Sequence, residues 1–343
     1  HRICDALVDA GFDVTLIGRE LSTSQKLPSR KFKQVRLKCI WNKGFLFYFE
    51  YNLRLVLWMI FHKVDIVNAI DLDTIAPAWL MSKIKKIKTV YVAHEWFPYC
   101  PEIVNRPPVH KFWLEMEEIF LPKMDEIYTV SQSIADEFSE IYNREIGLVR
   151  NMPKIQSVNK TIQEKYILYQ GALNIGRGLE ELIDAMPFVD MELWIAGAGD
   201  IEEDLKQKVN DLNLNNKVKF LGKVAPEKLW HYTENAWIGV NLLQNLGLNY
   251  YYSLANKFFD YVQAEIPQIT MNFHEYQKMN QEYEVAILIN DLKKDEIIEA
   301  ILKLDQDASC YNNLKNQCIS AKKYWNWDIE KNRLIQIYER LSK

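Results

Sequence analysis

Residues 166–186 read YILYQGALNIGRGLEELIDAM, and this run decides the class of fold. Tyr166–Gln170 is a short apolar stretch bounded by polar and glycine residues, which predicts a strand buried on both faces. Three glycines, Gly171, Gly176 and Gly178, then break the pattern. Leu179–Met186 resumes with apolar residues at helical spacing and two acids in the first turn, which suits a helix start. A strand that leads through a glycine-rich turn into a helix opens a β–α–β unit, and such units build parallel sheets covered on both faces.

The same alternation extends in both directions. Downstream, strands are predicted at Met191–Ala196, Val218–Leu221, Trp237–Leu243, Gln268–Met271 and Ala286–Ile289, with three closing helices between Lys293 and Leu341. Upstream, a helix over Arg2–Ala10 stops at Gly11. Strands follow at Asp13–Gly18, Gln34–Ile40, Asp65–Ile70, Thr89–Ala93 and Glu126–Val130, with helices near 48–62, 74–86, 110–121 and 133–143. An α/β domain normally opens on a strand, so a first strand is expected ahead of His1. The polar stretch from Arg150 to Lys165 reads as a linker. The expectation is an α/β protein of two doubly wound, Rossmann-like domains facing a cleft: residues 1–152, residues 153–325, and a last helix, residues 326–343, that packs back on the first domain.

Composition excludes several classes. The 343 residues carry 42 Lys/Arg against 46 Asp/Glu, with 48% hydrophobic residues. That is an ordinary globular balance, without the basic excess of a nucleic-acid binder. The five cysteines are scattered and match no zinc or redox spacing, which suits a reducing cytoplasm. The charge is uneven, because residues 1–90 hold 15 basic residues against 8 acids. Phe45–Phe61 is the longest apolar stretch and reads as too short and too polar to span a bilayer. With the surrounding lysines it either rests on an anionic membrane or is a core helix beside a solvated basic face.

Eight of the twelve glycines lie between Gly171 and Gly247. In an open parallel sheet the ligand sits beyond the carboxyl ends of the strands. Glycines admit a phosphate to the backbone, a helix start offers free N–H groups, and Arg177 adds charge. Gly171–Gly178 is therefore a phosphate cradle in outline, although it has neither Walker nor dinucleotide spacing; the plainer alternative is a glycine turn with a solvated arginine. Gly197 and Gly199 end a strand and would let a nucleoside approach, or simply form a turn. Ahead of a helix from about Ala255, with Ser253 as its N-cap, lies a polar loop. Asn256 and Lys257 fall in that helix's first turn, where a cation wants an anion nearby, and Asp260 stands one turn on, able to accept ribose hydroxyls or to form a surface pair with Lys257. In the first domain His94 and Glu95 end a strand, and a stiff loop with Trp96 and Arg106 suits a binding wall. His94 either bonds a sugar hydroxyl or phosphate, or caps nearby backbone. Asp71 and Asp73 have the spacing of a metal-binding pair, but Asp73 reads more simply as an N-cap, and no metal site is assigned. Ser133 and Asp136 read as capping residues.

With these residues in place the chain resembles the GT-B glycosyltransferases of family 4. The resemblance runs through HRICDALVDAGFDVTLIGR, AIDLDTIAP, VYVAHEWF, TVSQSIAD, VRNMP, YQGALNIGRGLEELIDA, LWIAGAGD, VKFLGKV and LNYYYSLANKFFDYVQAEIP, in this order. It implies transfer of a sugar from a nucleotide-diphosphate sugar, a substrate rather than a cofactor, to a hydroxyl of a glycan or lipid-linked acceptor, with retained configuration and no required metal. It implies catalytic roles for His94, Arg177 and Lys257, with Arg177 against the diphosphate and His94 facing the donor sugar. Donor contacts fall to Gly171, Gly176, Gly178, Gly197, Gly199, Asn256, Tyr252 and Asp260, the last matching a ribose-binding glutamate. Tyr252 stands where the family carries the first glutamate of a pair, and Ala172 where a basic residue is common. Glu95, Trp96 and Arg106 would face the acceptor. The scattered cysteines make the cytoplasm the expected compartment, at the inner membrane face if the basic first domain rests on lipid and free of it if that face is merely solvated. The alternatives are a sugar-nucleotide epimerase of the same architecture or a catalytically weak sugar-nucleotide-binding paralogue.

Overall fold

The computed structural model describes residues 1–24, 26–161 and 165–342. It separates into two compact units, His1–Arg150 with Glu330–Lys343, and Asn151–Ile329. Each is built on parallel strands with intervening helices, so the chain holds two Rossmann-like α/β domains. Residues 162–164 of the predicted linker lie outside the described residues.

The first unit carries strands β1 (Thr15–Glu20), β2 (Lys33–Lys38), β3 (Ile66–Ile70), β4 (Lys88–Ala93), β5 (Glu126–Thr129) and β6 (Gly147–Leu148). β3 to β6 form a four-stranded parallel sheet in chain order, whereas β1 and β2 pair with each other, from Thr15 opposite Lys33 to Glu20 opposite Lys38. Strand–helix alternation alone predicts one sheet here. What ties the β1–β2 pair down is side-chain packing: Ile17 and Leu37 join a cluster with Leu55 and Met59 of the helix Gly44–Phe61 and with Met81 of the helix Ile75–Lys85.

Three predicted caps move. The helix Gln132–Tyr142 begins earlier than expected, and its N-cap is Ser131, whose hydroxyl accepts from the Ile134 N–H; Ser133 is buried inside the first turn. Asp73 does not cap a helix either. It lies within a single 3₁₀ turn, Leu72–Thr74, and burial, reinforced by the neighbouring Asp71 charge, raises its carboxyl to about 6. Ser253 spends its hydroxyl on the Tyr250 carbonyl, so the helix Asn256–Gln263 starts after Ala255 with no side-chain cap. The loop before it contains an unexpected helical turn, Leu248–Tyr251.

In the second unit β7 (Tyr166–Gln170), β8 (Glu192–Ala196), β9 (Val218–Gly222), β10 (Ile238–Asn241), β11 (Gln268–Met271) and β12 (Ala286–Ile289) form one parallel sheet. Its order is β12-β11-β10-β7-β8-β9. β7 shows why its sequence reads as an unbroken apolar run: Ile167 and Tyr169 enter the main core, while Tyr166 and Leu168 enter a second cluster on the opposite face. On that second face Tyr166 stacks on Trp194 at 4.0 Å between ring centroids.

Candidate functional site

Strand order reverses between β7 and β10, because the chain winds from β7 outward to β9 and then returns to β10 on the other side. A crevice opens beyond the carboxyl ends at such a reversal. Three segments meet there: the glycine turn after β7, the loop after β10, and the helix Asn256–Gln263.

The helix is placed by Tyr261. Its hydroxyl donates to the carbonyls of Leu168 in β7 (3.0 Å) and Val240 in β10 (3.3 Å), bridging the two strands that flank the reversal. Its ring lies so close to Gly239 that a Cβ there would come within 2.5 Å of ring carbon. The same helix then presents Lys257 and Asp260 to the end of β7. Gln170, the last residue of β7, donates to the Asp260 carboxylate at 2.9 Å, and its own amide oxygen accepts from the Thr233 hydroxyl at 2.7 Å. Asp260 is thus oriented by a buried side chain.

The Lys257 ammonium sits 3.8 Å from the centre of the Tyr169 ring and beside Gly171, where a Cβ would meet it at 3.2 Å. Burial, and then the Arg177 charge, hold Lys257 well below the usual lysine range, only partly offset by Asp260. Arg177 stacks its guanidinium 5.0 Å from the Tyr250 ring centre, and its Nε is buried with no hydrogen-bond partner among the described residues. Two basic side chains therefore converge at the end of β7. Gly178 caps the helix Leu179–Ala185 in left-handed backbone at φ 64°, which is where a residue without Cβ is needed.

The second glycine pair has a different task from the one expected. A Cβ on Gly197 would land 1.8 Å from the Gly171 carbonyl oxygen, and one on Gly199 2.3 Å from that of Leu173. Gly171 and Leu173 donate to the carbonyls of Ala196 and Ala198. Gly197 and Gly199 therefore let the turn after β8 lie against the turn after β7, and so support the cradle from behind. Gly176 does the same against Leu246. Asn256 accepts from the Asn151 side chain at 2.9 Å. Tyr252 packs its ring near Tyr251 and His274.

In the first unit, His94 and Asp71 stand at the carboxyl ends of neighbouring strands. The Asp71 N–H donates to the Val92 carbonyl, its Oδ1 accepts from the His94 N–H at 2.9 Å, and its Oδ2 lies 3.4 Å from His94 Nδ1. Asp71 adopts φ 57°, a left-handed conformation uncommon for a residue with a side chain. The hydrogen bond from Asp71 raises the His94 pKa against the opposing effect of burial. Glu95 is half-buried beside Cys100, whose thiol is pushed up by burial and by that carboxylate. Trp96, read as part of an acceptor wall, is instead 3% exposed. It packs edge-on against Tyr99 and Phe138, and its indole N–H points to Glu117 at 3.5 Å. Arg106 is exposed at the start of the helix Pro107–Phe120.

Sequence reading missed Tyr169, Gln170 and Tyr261, and took Asp71 only as half of a metal-binding spacing, not as the partner of His94. Gln170 carries a signal in hindsight: a polar residue closing an otherwise apolar strand at its carboxyl end.

Known proteins match both units. Residues 1–151 match the family described as Glycosyltransferase Family 4, and residues 152–324 match Glycosyl transferases group 1. An uncharacterized glycosyltransferase of Methanocaldococcus jannaschii is 30% identical over 137 residues, covering 33% of this chain and 35% of the relative. The chain thus matches about a third of that curated relative's length. Among solved structures, sucrose-phosphate synthase of Thermosynechococcus elongatus superposes with a TM-score of 0.82 at 15% identity, over 99% of this chain and 92% of the other. Anabaena HepE, in complex with UDP and glucose, gives 0.72 at 15% identity, over 91% and 87%. Both likenesses establish the shared fold.

Proposed function

This chain belongs to the Glycosyl transferases group 1 family, with a Glycosyltransferase Family 4 segment ahead of it, and from that premise we propose that it transfers a sugar from a nucleotide diphosphate donor held at the β7–β10 reversal. One observation carries the reading. Arg177 and Lys257 converge on a glycine turn at the ligand-binding end of the sheet, with the Arg177 Nε unpartnered and Lys257 depressed by burial and by Arg177. Two like charges packed together call for an anion between them, and a diphosphate supplies it.

Asp260, oriented by Gln170, takes the ribose hydroxyls. That HepE was solved with UDP and glucose favours a uridine nucleotide. Breaking the sugar–diphosphate bond leaves negative charge on the leaving group, and each preorganised donor there contributes about 3–4 kcal/mol to the transition state. Arg177 and Lys257 fill that role without a metal. The family resemblance gives His94 a contact with the donor sugar, and its hydrogen bond with Asp71 raises the pKa of the ring. The acceptor is a hydroxyl of a glycan or lipid-linked glycan held by the first unit, through Glu95 and Arg106. The diphosphate assists in deprotonating that hydroxyl, and the sugar keeps its anomeric configuration. We place the reaction in the cytoplasm, at the inner membrane face. The five cysteines are all free thiols, as a reducing compartment favours.

The test is calorimetric titration of nucleotides and nucleotide sugars, followed by turnover assays. Asp260→Ala is expected to weaken UDP binding, and Arg177→Ala to lower turnover about a hundredfold or more. Unchanged affinity in the first variant removes the ribose role, and unchanged turnover in the second removes the cradle from the reaction.

A further inference from the structure

The helix Gly44–Phe61 presents a surface that the transfer reaction does not use. Its inward residues are Glu50, Tyr51, Leu55 and Met59. Apart from Arg54, whose side chain is 40% exposed, the exposed side chains along it are large and apolar: Leu46, Phe49, Leu53, Leu57 and Ile60 run down one side, with Phe45 (69% exposed) and Phe61 (81%) near its ends. Their spacing of three and four residues gathers Leu46 to Ile60 into one stripe about 21 Å long. Ile40 and Trp41 extend it at the amino end, and Leu80 and Ile84 of the packed helix Ile75–Lys85 lie exposed as well. Monomeric proteins rarely leave so continuous an apolar strip in water.

By length and composition the helix is enough to cross a membrane, where sequence reading has it too short and too polar. Its inner face rules out a span through lipid. Glu50 is buried, accepts from the N–H groups of Ile40 and Trp41, and pairs with Arg54 at 2.7 Å. Lys85 donates to the carbonyls of Met59 and His62 at the helix end. The helix is part of the first unit's core and offers only its outer face.

The charge around that face selects its occupant. Residues 40–64 and 74–88 hold seven basic side chains and a single acid. That acid is Glu50, turned inward. Lys43 and Lys63 stand exposed at the two ends of the stripe, and Lys83 and Lys86 on the neighbouring helix. A two-fold pairing of this face with a second copy would set one basic rim against the other. Anionic phospholipid headgroups complement the rim, and the acyl boundary takes the stripe.

We propose that the outer face of Gly44–Phe61 docks flat on an anionic bilayer, its apolar stripe in the headgroup–acyl boundary and its rim lysines on lipid phosphates. The proposal does not depend on the transfer reading.

The experiment is co-sedimentation of the full chain with vesicles of phosphatidylglycerol and phosphatidylcholine, and with vesicles of phosphatidylcholine alone. Binding is expected to the first, to weaken with salt, and to fall by more than about fivefold for each of Lys43→Glu and Lys63→Glu, since about fivefold is the effect of neutralising one lysine. The triple variant Phe49→Ser/Leu53→Ser/Phe61→Ser should lose it. Hydrogen exchange of the unaltered protein should slow in residues 44–61 when phosphatidylglycerol vesicles are added, a readout that does not require the variant to fold. Absence of vesicle binding overturns the proposal, as does unchanged exchange in this helix. So does a dimer by light scattering that the triple variant converts to monomer, which would make the face a contact between copies. Titration of UDP separates the two readings: unaltered protein that binds vesicles but not UDP overturns the donor site and leaves the docking face standing.

Discussion

At His94 the controlling neighbour is Asp71, 23 residues earlier and one strand across. Its hydrogen bond raises the His94 pKa above the ordinary 6.5. The stabilisation from the pair is therefore complete below pH 6.5, where folded and unfolded chains are both protonated, and is lost as pH rises through the elevated folded value. Asp71→Asn is expected to lower the His94 pKa, read from its ring proton shifts by NMR; an unmoved titration would show that Asp71 does not govern the ring. Sequence spacing could not reveal this partnership, because it exists only through the register that sets Val92 opposite Ile70. Arg177, Lys257 and Asp260 were legible because a glycine turn and a helix's first turn carry local rules. The work of Gly197 was not: its reason is the Gly171 carbonyl, brought near by the β7–β8 ladder.

Among the elements, the helix Pro107–Phe120 carries a buried acid that organises the loop after β4. Glu117 accepts from Tyr142 at 3.0 Å and lies 3.5 Å from the Trp96 indole nitrogen. Burial raises its carboxyl from the usual 4.5 to about 7, against the effect of those two donors. Between these values the folded chain keeps a proton that the unfolded chain releases, so stability falls as pH rises through that window and the loss is complete above it. The full difference is roughly 3 kcal/mol. Glu117→Gln keeps an acceptor oxygen and cannot ionise. Its melting temperature is expected to fall less than that of the unaltered protein across the window and to exceed it above pH 7; parallel Tm–pH curves would refute this. Helices and strands themselves were readable from periodicity to within a few residues. Starts such as Ser131 were not, since capping depends on which hydroxyl reaches an N–H, and Ser131 and Ser133 look alike in sequence.

On the scale of the whole molecule, the first unit is discontinuous, completed by Glu330–Lys343. The closing helix is fastened to it by several bonds: Glu330 accepts from the Arg150 N–H at 2.8 Å, Arg340 pairs with Glu126 at 3.2 Å, and Tyr338 meets Phe12 edge to face. Ending the chain at Ile329 should lower the first unit's melting transition by calorimetry while leaving UDP affinity in the second unit unchanged. A thermogram like that of the full chain would show the helix to be dispensable. The arrangement also sets an order of assembly during synthesis. A ribosome adds about 5–20 residues per second, so the 179 residues of Asn151–Ile329 occupy it for roughly ten to forty seconds after the first unit's leading segment has emerged. The first unit must wait, with its greasy outer helix already in the open, until Glu330–Lys343 has been made and can complete it.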